Sequence, residues 1–226
     1  MRTISNELFA EMARLVSDED RDEMAIPSYT HKNPALRWMA WRRVELMQKA
    51  FAKVAKKHRN GSGLHVMDFG CGCGVLFPVE SKNAAKVYGV DLEVRPGRLL
   101  VERYNLDNVE VIHPDEAEQT IPEGSLDVIV AGEVLEHVPS IPDTLDFFKR
   151  LLKPGGQLLI SLPTENRLYQ LGRKIAGFHG HYHHDNASSI HAMIKRDADF
   201  KTVSRKMVPL PGPLAIYWML HYELKG

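Results

Sequence analysis

A glycine-rich turn and two carboxylates are the residues whose types and spacing favour ligand binding. The turn reads Asp68-Phe69-Gly70-Cys71-Gly72-Cys73-Gly74, and its start overlaps an apolar run at residues 64–69. Glycine lets a ligand approach the backbone closely because no Cβ intervenes, and a helix that opens after such a turn offers free N–H groups. Asp91 closes the next apolar run. The spacing therefore predicts a ligand-binding turn between a strand and a helix.

The same spacing excludes two nucleotide-binding motifs. A dinucleotide fingerprint needs a third glycine three residues after the second, but Val75 stands three residues after Gly72. A phosphate loop needs Gly-Lys-Ser/Thr, which does not follow the turn. The only two cysteines, Cys71 and Cys73, stand too close together for a disulfide and lack partners at zinc-site spacing. We interpret them as small side chains that fill a crowded turn.

Apolar and helical segments alternate beyond the turn. Strands are predicted at residues 64–69, 86–91, 109–112, 126–131 and 157–162, with helices at 75–85, 96–104 and 141–152. This alternation indicates a parallel sheet covered by helices on both faces. Two further strands, at 203–210 and 214–223, flank Pro211-Gly212-Pro213, which favours an antiparallel hairpin. We predict an α/β fold with a doubly wound, Rossmann-like seven-stranded sheet, parallel except at its C-terminal hairpin.

Helical segments precede the sheet. Residues 1–24 predict a short helix that ends in the acidic cluster Asp18-Glu19-Asp20, and Ile26-Pro27 breaks it. A longer helix at about 34–58 has an apolar stripe at helical spacing and begins with proline, which the first turn tolerates. Its other face carries the basic residues Arg37, Arg42, Arg43, Lys49, Lys53, Lys56 and Lys57. That face is either a solvated surface or a site for anionic lipid headgroups or an acidic acceptor.

The overall charge is balanced, with 29 Lys and Arg residues against 29 Asp and Glu residues in a chain of 226. A chain without net charge has no global field that attracts nucleic acid. The first residues lack the apolar core of a signal peptide, and no apolar run has the length of a membrane span. We therefore expect a cytoplasmic protein without a nucleic-acid partner.

Five segments carry a family resemblance in their order along the chain. They are Asp68-x-Gly70-x-Gly72-x-Gly74, Val90-Asp91, Glu123-Gly124-Ser125-Leu126-Asp127-Val128-Ile129, Glu133-Val134-Leu135-Glu136-His137-Val138 and Leu151-Leu152-Lys153-Pro154-Gly155-Gly156-Gln157-Leu158-Leu159-Ile160. Together they resemble the class I S-adenosylmethionine-dependent methyltransferases over roughly residues 63–225, in the type 11 subgroup that includes quinone-biosynthesis and other small-molecule enzymes. The resemblance implies S-adenosylmethionine as cofactor and S-adenosylhomocysteine as product. We predict a helical cover at residues 1–60 and a methyltransferase domain at 61–226, with an acceptor-cover insert at about 163–199.

The resemblance also implies which residues contact the cofactor at the ends of the first two strands. The backbone of the turn would lie against the cofactor at Gly70, Cys71, Gly72 and Gly74. Asp68 would orient the turn and meet the ammonium group of the cofactor, directly or through water. Asp91 would accept both ribose hydroxyls, because an ionised carboxylate has two acceptor oxygens, and Leu92 would lie beside it.

Two of the implied contacts stay open. The adenine amino group would meet either Asp115 or Glu116, which follow the third strand. The segment Ala131-Gly132-Glu133 would line the methionine end of the cofactor after the fourth strand. Glu133 then either faces the acceptor or is a helix N-terminal carboxylate stabilised by the helix dipole.

The insert carries the candidates for proton removal. Predicted helices at 167–176 and 186–198 flank the loop Phe178-His179-Gly180-His181-Tyr182-His183-His184-Asp185. One hypothesis makes His183 or His184 the general base, since histidine titrates near neutral pH. A second has several imidazoles and Asp185 binding a divalent metal, and a third leaves the loop in solvent. We assign no metal site. Residues 167–177 have one apolar and one basic face, which indicates a lid or a helix on a membrane surface.

These features predict transfer of a methyl group to a small-molecule or lipid-like acceptor, at oxygen or carbon, by in-line displacement. The basic helix faces predict either peripheral membrane contact or solvated surfaces, and both alternatives stay open. The alternative is a domain that binds the cofactor without catalysis, as a sensor or assembly subunit. A nucleic-acid methyltransferase is disfavoured, because the fourth strand ends in Ala-Gly-Glu rather than Asn/Asp-Pro-Pro-Tyr/Phe. The acceptor and the oligomeric state are not encoded in these motifs.

Overall fold

The computed structural model describes residues 4–58, 63–164, 166 and 187–226. The helix predicted at 167–176 and the loop with His183 and His184 lie outside the described residues. The chain divides into two compact units, Met1–Ile121 and Pro122–Gly226, and each is described by itself. The domain boundary predicted at residue 60 stays a prediction.

Helices form the start of the first unit: α1 at Asn6–Ala13, α2 at Asp18–Glu23, α3 at Ile26–Thr30 and α4 at Pro34–Lys57. The single helix predicted for residues 1–24 is wrong, because Ser17 caps a new one. Its Oγ accepts a hydrogen bond from the Asp20 N–H at 3.1 Å, so the acidic cluster begins α2. Ile26-Pro27 likewise begins α3, since proline suits a first helical turn. The long helix α4 is confirmed.

An aromatic cluster joins three of these helices. Phe9 of α1 stacks on Tyr29 of α3 with ring centroids 5.4 Å apart, and Tyr29 lies 5.2 Å from the Trp41 ring of α4. Trp41 Nε1 also donates a hydrogen bond to the Tyr29 carbonyl at 3.1 Å. Pairs of aromatic rings at such distances stabilise beyond the area they bury, so these short helices are held by packing on α4.

The first unit continues with three parallel strands: β1 at Leu64–Phe69, β2 at Ala84–Val90 and β3 at Val109–Ile112. Their order is β3-β2-β1. Phe69 pairs with Val90, and Val90 pairs with Ile112, so the three strands end at one edge. This register brings the residues that follow each strand to the same edge, where ligands of parallel sheets bind.

Three helices follow these strands: α5 at Phe77–Asn83, α6 at Arg95–Tyr104 and α7 at Pro114–Thr120. The helix predicted from residue 75 begins later, because the glycine turn extends to Leu76. Helix α7 was not predicted. His113 caps it, with Nδ1 accepting a hydrogen bond from the Asp115 N–H at 3.3 Å, and Pro114 occupies its first position.

The second unit contains β4 at Leu126–Gly132, α8 at Ile141–Leu151, β5 at Leu152–Pro163, α9 at Ala187–Arg196, β6 at Phe200–Val208 and β7 at Tyr217–Leu224. The strand order is β4-β5-β7-β6. Strands β4 and β5 are parallel, whereas β7 runs antiparallel to both β5 and β6. The predicted C-terminal hairpin is confirmed, and a short 3-10 helix at Gly212–Leu214 lies in its connection.

The predicted fold class is confirmed by the described residues. Three parallel strands in one unit and a mixed group of four in the other make seven strands, with the antiparallel pairs at the C-terminal end of the chain. Strand β5 begins earlier than predicted, because Leu152 already pairs with Leu126. Among the described residues, no helix is long and apolar enough to cross a membrane.

Candidate functional site

The glycine turn after β1 has a backbone that its sequence explains. Gly70, Gly72 and Gly74 all have left-handed φ angles, of 71°, 52° and 71°, which cost other residues strain. The Gly70 and Cys71 N–H groups donate to the Val90 carbonyl at 2.8 and 3.2 Å. A Cβ on Gly74 would lie 2.4 Å from the Phe77 ring, whereas a Cβ on Gly72 would meet, among the described residues, only Met24, at 3.7 Å. The turn is therefore fixed to β2 and packed tightly at Gly74.

Asp91 joins the end of β2 to the turn. Its Oδ2 accepts a hydrogen bond from the Gly72 N–H at 2.7 Å, and its Oδ1 accepts one from the Glu93 N–H at 3.1 Å. Burial raises the pKa of Asp91, and these two N–H donors oppose the rise. A carboxylate oxygen has a second lone pair, so both oxygens keep an acceptor site for a ligand hydroxyl. The adjacent Leu92 is 78% exposed and offers an uncovered apolar surface.

Two acids are buried beneath the turn. Asp68 at the end of β1 is 2% exposed and Glu80 on α5 is 1% exposed. Burial, and then the charge of Asp91, raise the pKa of Asp68 to about 8. Burial, and then the charge of Asp68, raise the pKa of Glu80 well above its usual range. Sequence reasoning missed Glu80. Its signal was the spacing from Phe77, since residues three apart share a helix face and Phe77 is fully buried.

The turn's two cysteines are free thiols, both buried. Burial raises the pKa of the Cys71 thiol well above its usual range and that of Cys73 to about 12. A thiol must ionise to be a nucleophile or metal ligand, so these side chains act as small apolar groups. Among the residues that the structure describes, no cluster of histidine, cysteine and carboxylate could hold a metal ion.

The N-terminal helices place side chains on the turn. Met24, directly after α2, lies beside Gly72, and Gln48 of α4 donates a hydrogen bond to the Val75 carbonyl at 3.4 Å. Arg43 of α4 donates to the Tyr29 hydroxyl at 2.9 Å, and its positive charge acts against the rise in the pKa of Cys73. Met24 and Gln48 therefore bring the end of α2 and the middle of α4 against the glycine turn within the first unit.

The two candidates for adenine recognition lie together in the first turn of α7. Asp115 and Glu116 are both exposed, and an Asp115 carboxylate oxygen lies 3.2 Å from His113 Nδ1. The Asp91 N–H donates to the Ile112 carbonyl at 3.3 Å, so α7 begins close to Asp91 at the same sheet edge. The geometry does not separate the two candidates, and the choice between them stays open.

The remaining predicted cofactor contacts lie in the second unit, at the end of β4. Ala131 is buried, and Gly132 pairs with Ser161 of β5. Glu133 has a φ of 55°, and its N–H donates to the Ser161 carbonyl at 2.9 Å. A non-glycine residue in this conformation is uncommon and often marks a functional site. Residues 133–140 form bends and turns, so Glu133 does not lie at a helix N-terminus.

One histidine of the predicted insert lies in a described element. His191 on α9 has Nδ1 2.5 Å from the hydroxyl oxygen of Tyr222 on β7, and its ring packs against Trp218 with centroids 5.7 Å apart. Burial lowers the pKa of His191. This imidazole contacts the hairpin. The proposed bases His183 and His184 lie outside the described residues.

Comparison with known proteins gives a family match over most of the chain. Residues 38–205 match the model of a family described as a methyltransferase domain. Ubiquinone biosynthesis O-methyltransferase of Acinetobacter baumannii (strain AYE) is 33% identical over 109 residues, 46% of each chain. The enzyme of the same name from Psychrobacter arcticus is 36% identical over 110 residues, 46% of this chain and 43% of its own. The chain thus spans less than half the length of the curated relatives it matches.

Solved structures extend the likeness in fold. N-methyltransferase NodS from Bradyrhizobium japonicum, in complex with S-adenosyl-L-homocysteine, superposes with a TM-score of 0.63 at 15% identity and covers 97% of this chain and 99% of its own. A SAM-dependent methyltransferase from Aquifex aeolicus has a TM-score of 0.59 at 23% identity, over 76% of this chain and 88% of its own. At these identities the likeness concerns the fold.

Proposed function

Because the chain belongs to the methyltransferase domain family, as its motifs predicted, we propose that it transfers a methyl group from S-adenosylmethionine to a small-molecule or lipid-like acceptor. The observation that carries the proposal is the contact between Asp91 and Gly72. It fixes the glycine turn while both Asp91 oxygens keep a lone pair for the adjacent hydroxyls of a ribose.

The first unit fits the cofactor group by group. Asp91 would accept the ribose hydroxyls, and the exposed Leu92 would lie against the adenine ring. The left-handed glycines, Gly70 and Gly72, leave the backbone free of Cβ atoms where the methionine part would pass. Asp68 would meet its ammonium group. When bound, the cofactor supplies a methyl group on a sulfonium centre, which leaves a neutral thioether.

The protein's own task is then alignment and proton removal. Holding the acceptor in line with the methyl group turns a bimolecular step into an effectively unimolecular one. Met24 and Gln48, which contact the turn, would limit the access of water to the bound cofactor. An oxygen or carbon acceptor loses a proton, and we assign this role to His183 or His184, since a base with a pKa near the working pH is most effective.

The acceptor class is supported by the relatives rather than by the first unit. The matched proteins of Acinetobacter baumannii and Psychrobacter arcticus bear the name ubiquinone biosynthesis O-methyltransferase, which favours a phenolic oxygen on a lipid-like acceptor, with methylation at carbon as the other candidate. Because the match covers less than half of these relatives, the substrate of this protein is a proposal.

A contact with an anionic membrane surface fits a lipid-like acceptor. Trp38 is 59% exposed, and Lys49, Lys53 and Lys56 are exposed at spacings of four and three along α4, on the side opposite the buried Val44, Met47 and Phe51. A tryptophan beside a row of lysines suits the headgroup region. Changing Lys53 and Lys56 to glutamine should weaken binding to phosphatidylglycerol vesicles by about 1 kcal/mol per lysine, measured by co-sedimentation. Unchanged binding would favour a solvated helix face.

The function is tested by calorimetric titration with S-adenosylhomocysteine, followed by transfer of labelled methyl from S-adenosylmethionine to phenolic, amine and carbon acceptors. Binding with turnover on a phenol is the expected result. Binding without turnover on the panel would favour the sensor or assembly subunit. A failure to bind would overturn the proposal, and a salt-sensitive complex with RNA or DNA would favour a nucleic-acid enzyme.

A further inference from the structure

Glu80 is a buried acid that the proposed function does not use. It lies on α5, just after the glycine turn, and is 1% exposed. Neither of its carboxylate oxygens has a hydrogen-bond partner among the described residues. An ionised carboxylate in that position would carry a large desolvation cost, so a role for Glu80 has to account for its charge.

The groups that act on Glu80 and Asp68 are acids. Asp91 raises the pKa of Asp68, Asp68 raises that of Glu80, and Cys71 lies within the field of all three carboxylates. The cation described near the turn, Arg43, acts on Cys73. Two buried carboxyl groups that interact without a nearby cation cannot both be ionised. At least one proton is therefore retained in the pair.

We propose that Glu80 is a positioning residue that stays protonated and donates a hydrogen bond to Asp68. The pair then carries one negative charge, which forms on Asp68 when the cationic ammonium group of the cofactor binds. The inference rests on the proposed function. It gives the hydroxyl of the protonated Glu80 an acceptor, and in the bound form it assigns the two acids different protonation states, as neighbouring carboxyl groups in different environments adopt.

The proposal couples cofactor binding to release of a proton. In the free protein at pH 7, Asp68 has a pKa of about 8 and is mostly protonated. On binding, the Asp68 O–H bond breaks, the proton passes to solvent, and the carboxylate pairs with the ammonium group. The affinity for the cofactor should therefore rise with pH between 6 and 8, by up to about tenfold per pH unit while the pH is below the pKa of Asp68.

Calorimetry measures this proton directly. Titrating the protein with S-adenosylhomocysteine at pH 7, in buffers of different ionisation enthalpy, gives the number of protons released, and we expect nearly one. Because glutamine keeps a donor for Asp68, Glu80→Gln should bind like the wild type. Glu80→Leu removes the donor and should weaken binding at pH 7 about tenfold. Glu102→Leu, at an exposed position on α6, is the matched control and should change nothing.

The outcomes separate the two proposals. If Glu80→Gln loses affinity as Glu80→Leu does, Glu80 acts as an anion and the inference fails. It also fails if no proton is released or if Glu80→Leu binds normally. Infrared difference spectra of the free protein should contain a carboxylic-acid C=O band that Glu80→Gln lacks. That readout needs no ligand, so a protein that does not bind S-adenosylhomocysteine still tests Glu80. Thermal unfolding of each variant excludes misfolding as the cause.

Discussion

The acids buried near the glycine turn of the first unit and the acids paired with Lys149 and Lys153 in the second unit behave in opposite ways. In the first unit, Asp68 and Glu80 are buried next to other acids, and both have raised pKa values. In the second unit, Lys149 contacts Asp146 at 2.8 Å and Asp197 at 3.0 Å, and Lys153 contacts Asp127 at 2.7 Å. Such partly exposed ion pairs contribute at most about 1 kcal/mol to the stability of the fold. Ionised acids buried without a cation lower stability unless a cationic ligand is bound, which favours a binding role for Asp68 and Glu80.

The largest expected effect concerns the packing of the turn. Gly74→Ala would place a Cβ 2.4 Å from the Phe77 ring at a φ of +71°, and we expect a loss of about 3 kcal/mol in the free energy of unfolding. Gly124 in the second unit has a similar φ of +59°, with open space where a Cβ would lie. Gly124→Ala should therefore lower the free energy of unfolding by about 1 kcal/mol. Urea unfolding measures both, and equal losses would show that the close packing at Gly74 adds nothing.

The next effect is on ligand binding. Asp91→Ala removes the acceptors for the Gly72 and Glu93 N–H groups as well as those proposed for the ribose. S-adenosylhomocysteine should then bind at least tenfold more weakly, about 1.4 kcal/mol or more. Asp107→Ala, at an exposed position before β3, is the calorimetric control. An unchanged affinity in Asp91→Ala would remove the ribose assignment.

A pH series sharpens the contrast between buried and paired acids. The pKa of Asp68 is raised from 3.8 to about 8 in the folded protein, so its favourable contribution is complete below pH 4 and is lost as pH rises towards 8. The stability of the wild type should therefore fall relative to Asp68→Asn across that window. Parallel curves from pH 4 to 8 would mean that Asp68 is ionised throughout.

The smallest effect is expected where charges are paired. Lys149 has 24% of its side chain exposed. Its pKa is raised by Asp146 and also by Asp197, and burial opposes this rise. Lys149→Met should cost about 1 kcal/mol of stability and leave the affinity for S-adenosylhomocysteine unchanged. Lys201→Met, exposed on β6, should be neutral in both. A change in ligand affinity on removing Lys149 would contradict the contrast between the paired acids and the acids buried near the turn.

Sequence patterns predicted the elements whose signals are local. The apolar run of β1 and the periodic stripe of α4 were both predicted with nearly correct bounds, because burial on two faces or on one helix face leaves a direct pattern. Helix α7 was missed, since Pro114 is equally a strand breaker and a favoured first helical residue. Residues 1–24 were misread because the N-cap Ser17 lies inside an otherwise helical pattern.

Candidate site residues were identified only where a motif carried them, and their roles stay predictions. The glycines and Asp91 stand in such motifs, and the structure joins Gly72 to Asp91 through one hydrogen bond. Glu80 was not found, because a glutamate in a short helix is usually exposed and its burial depends on how α5 packs. The left-handed φ of Glu133 likewise has no signature in composition. Predictions for His183 and His184 stay untested.

The hydrogen bond from the Gly72 N–H to Asp91 also makes the site observable. A backbone proton held by a carboxylate at 2.7 Å resonates at a frequency that depends on the charge of that carboxylate. Hydroxyls that bind the remaining lone pairs draw charge from it, so the Gly72 amide resonance should move on binding in proportion to occupancy. One nuclear magnetic resonance signal could then rank nucleoside-like ligands before the methyl acceptor is known.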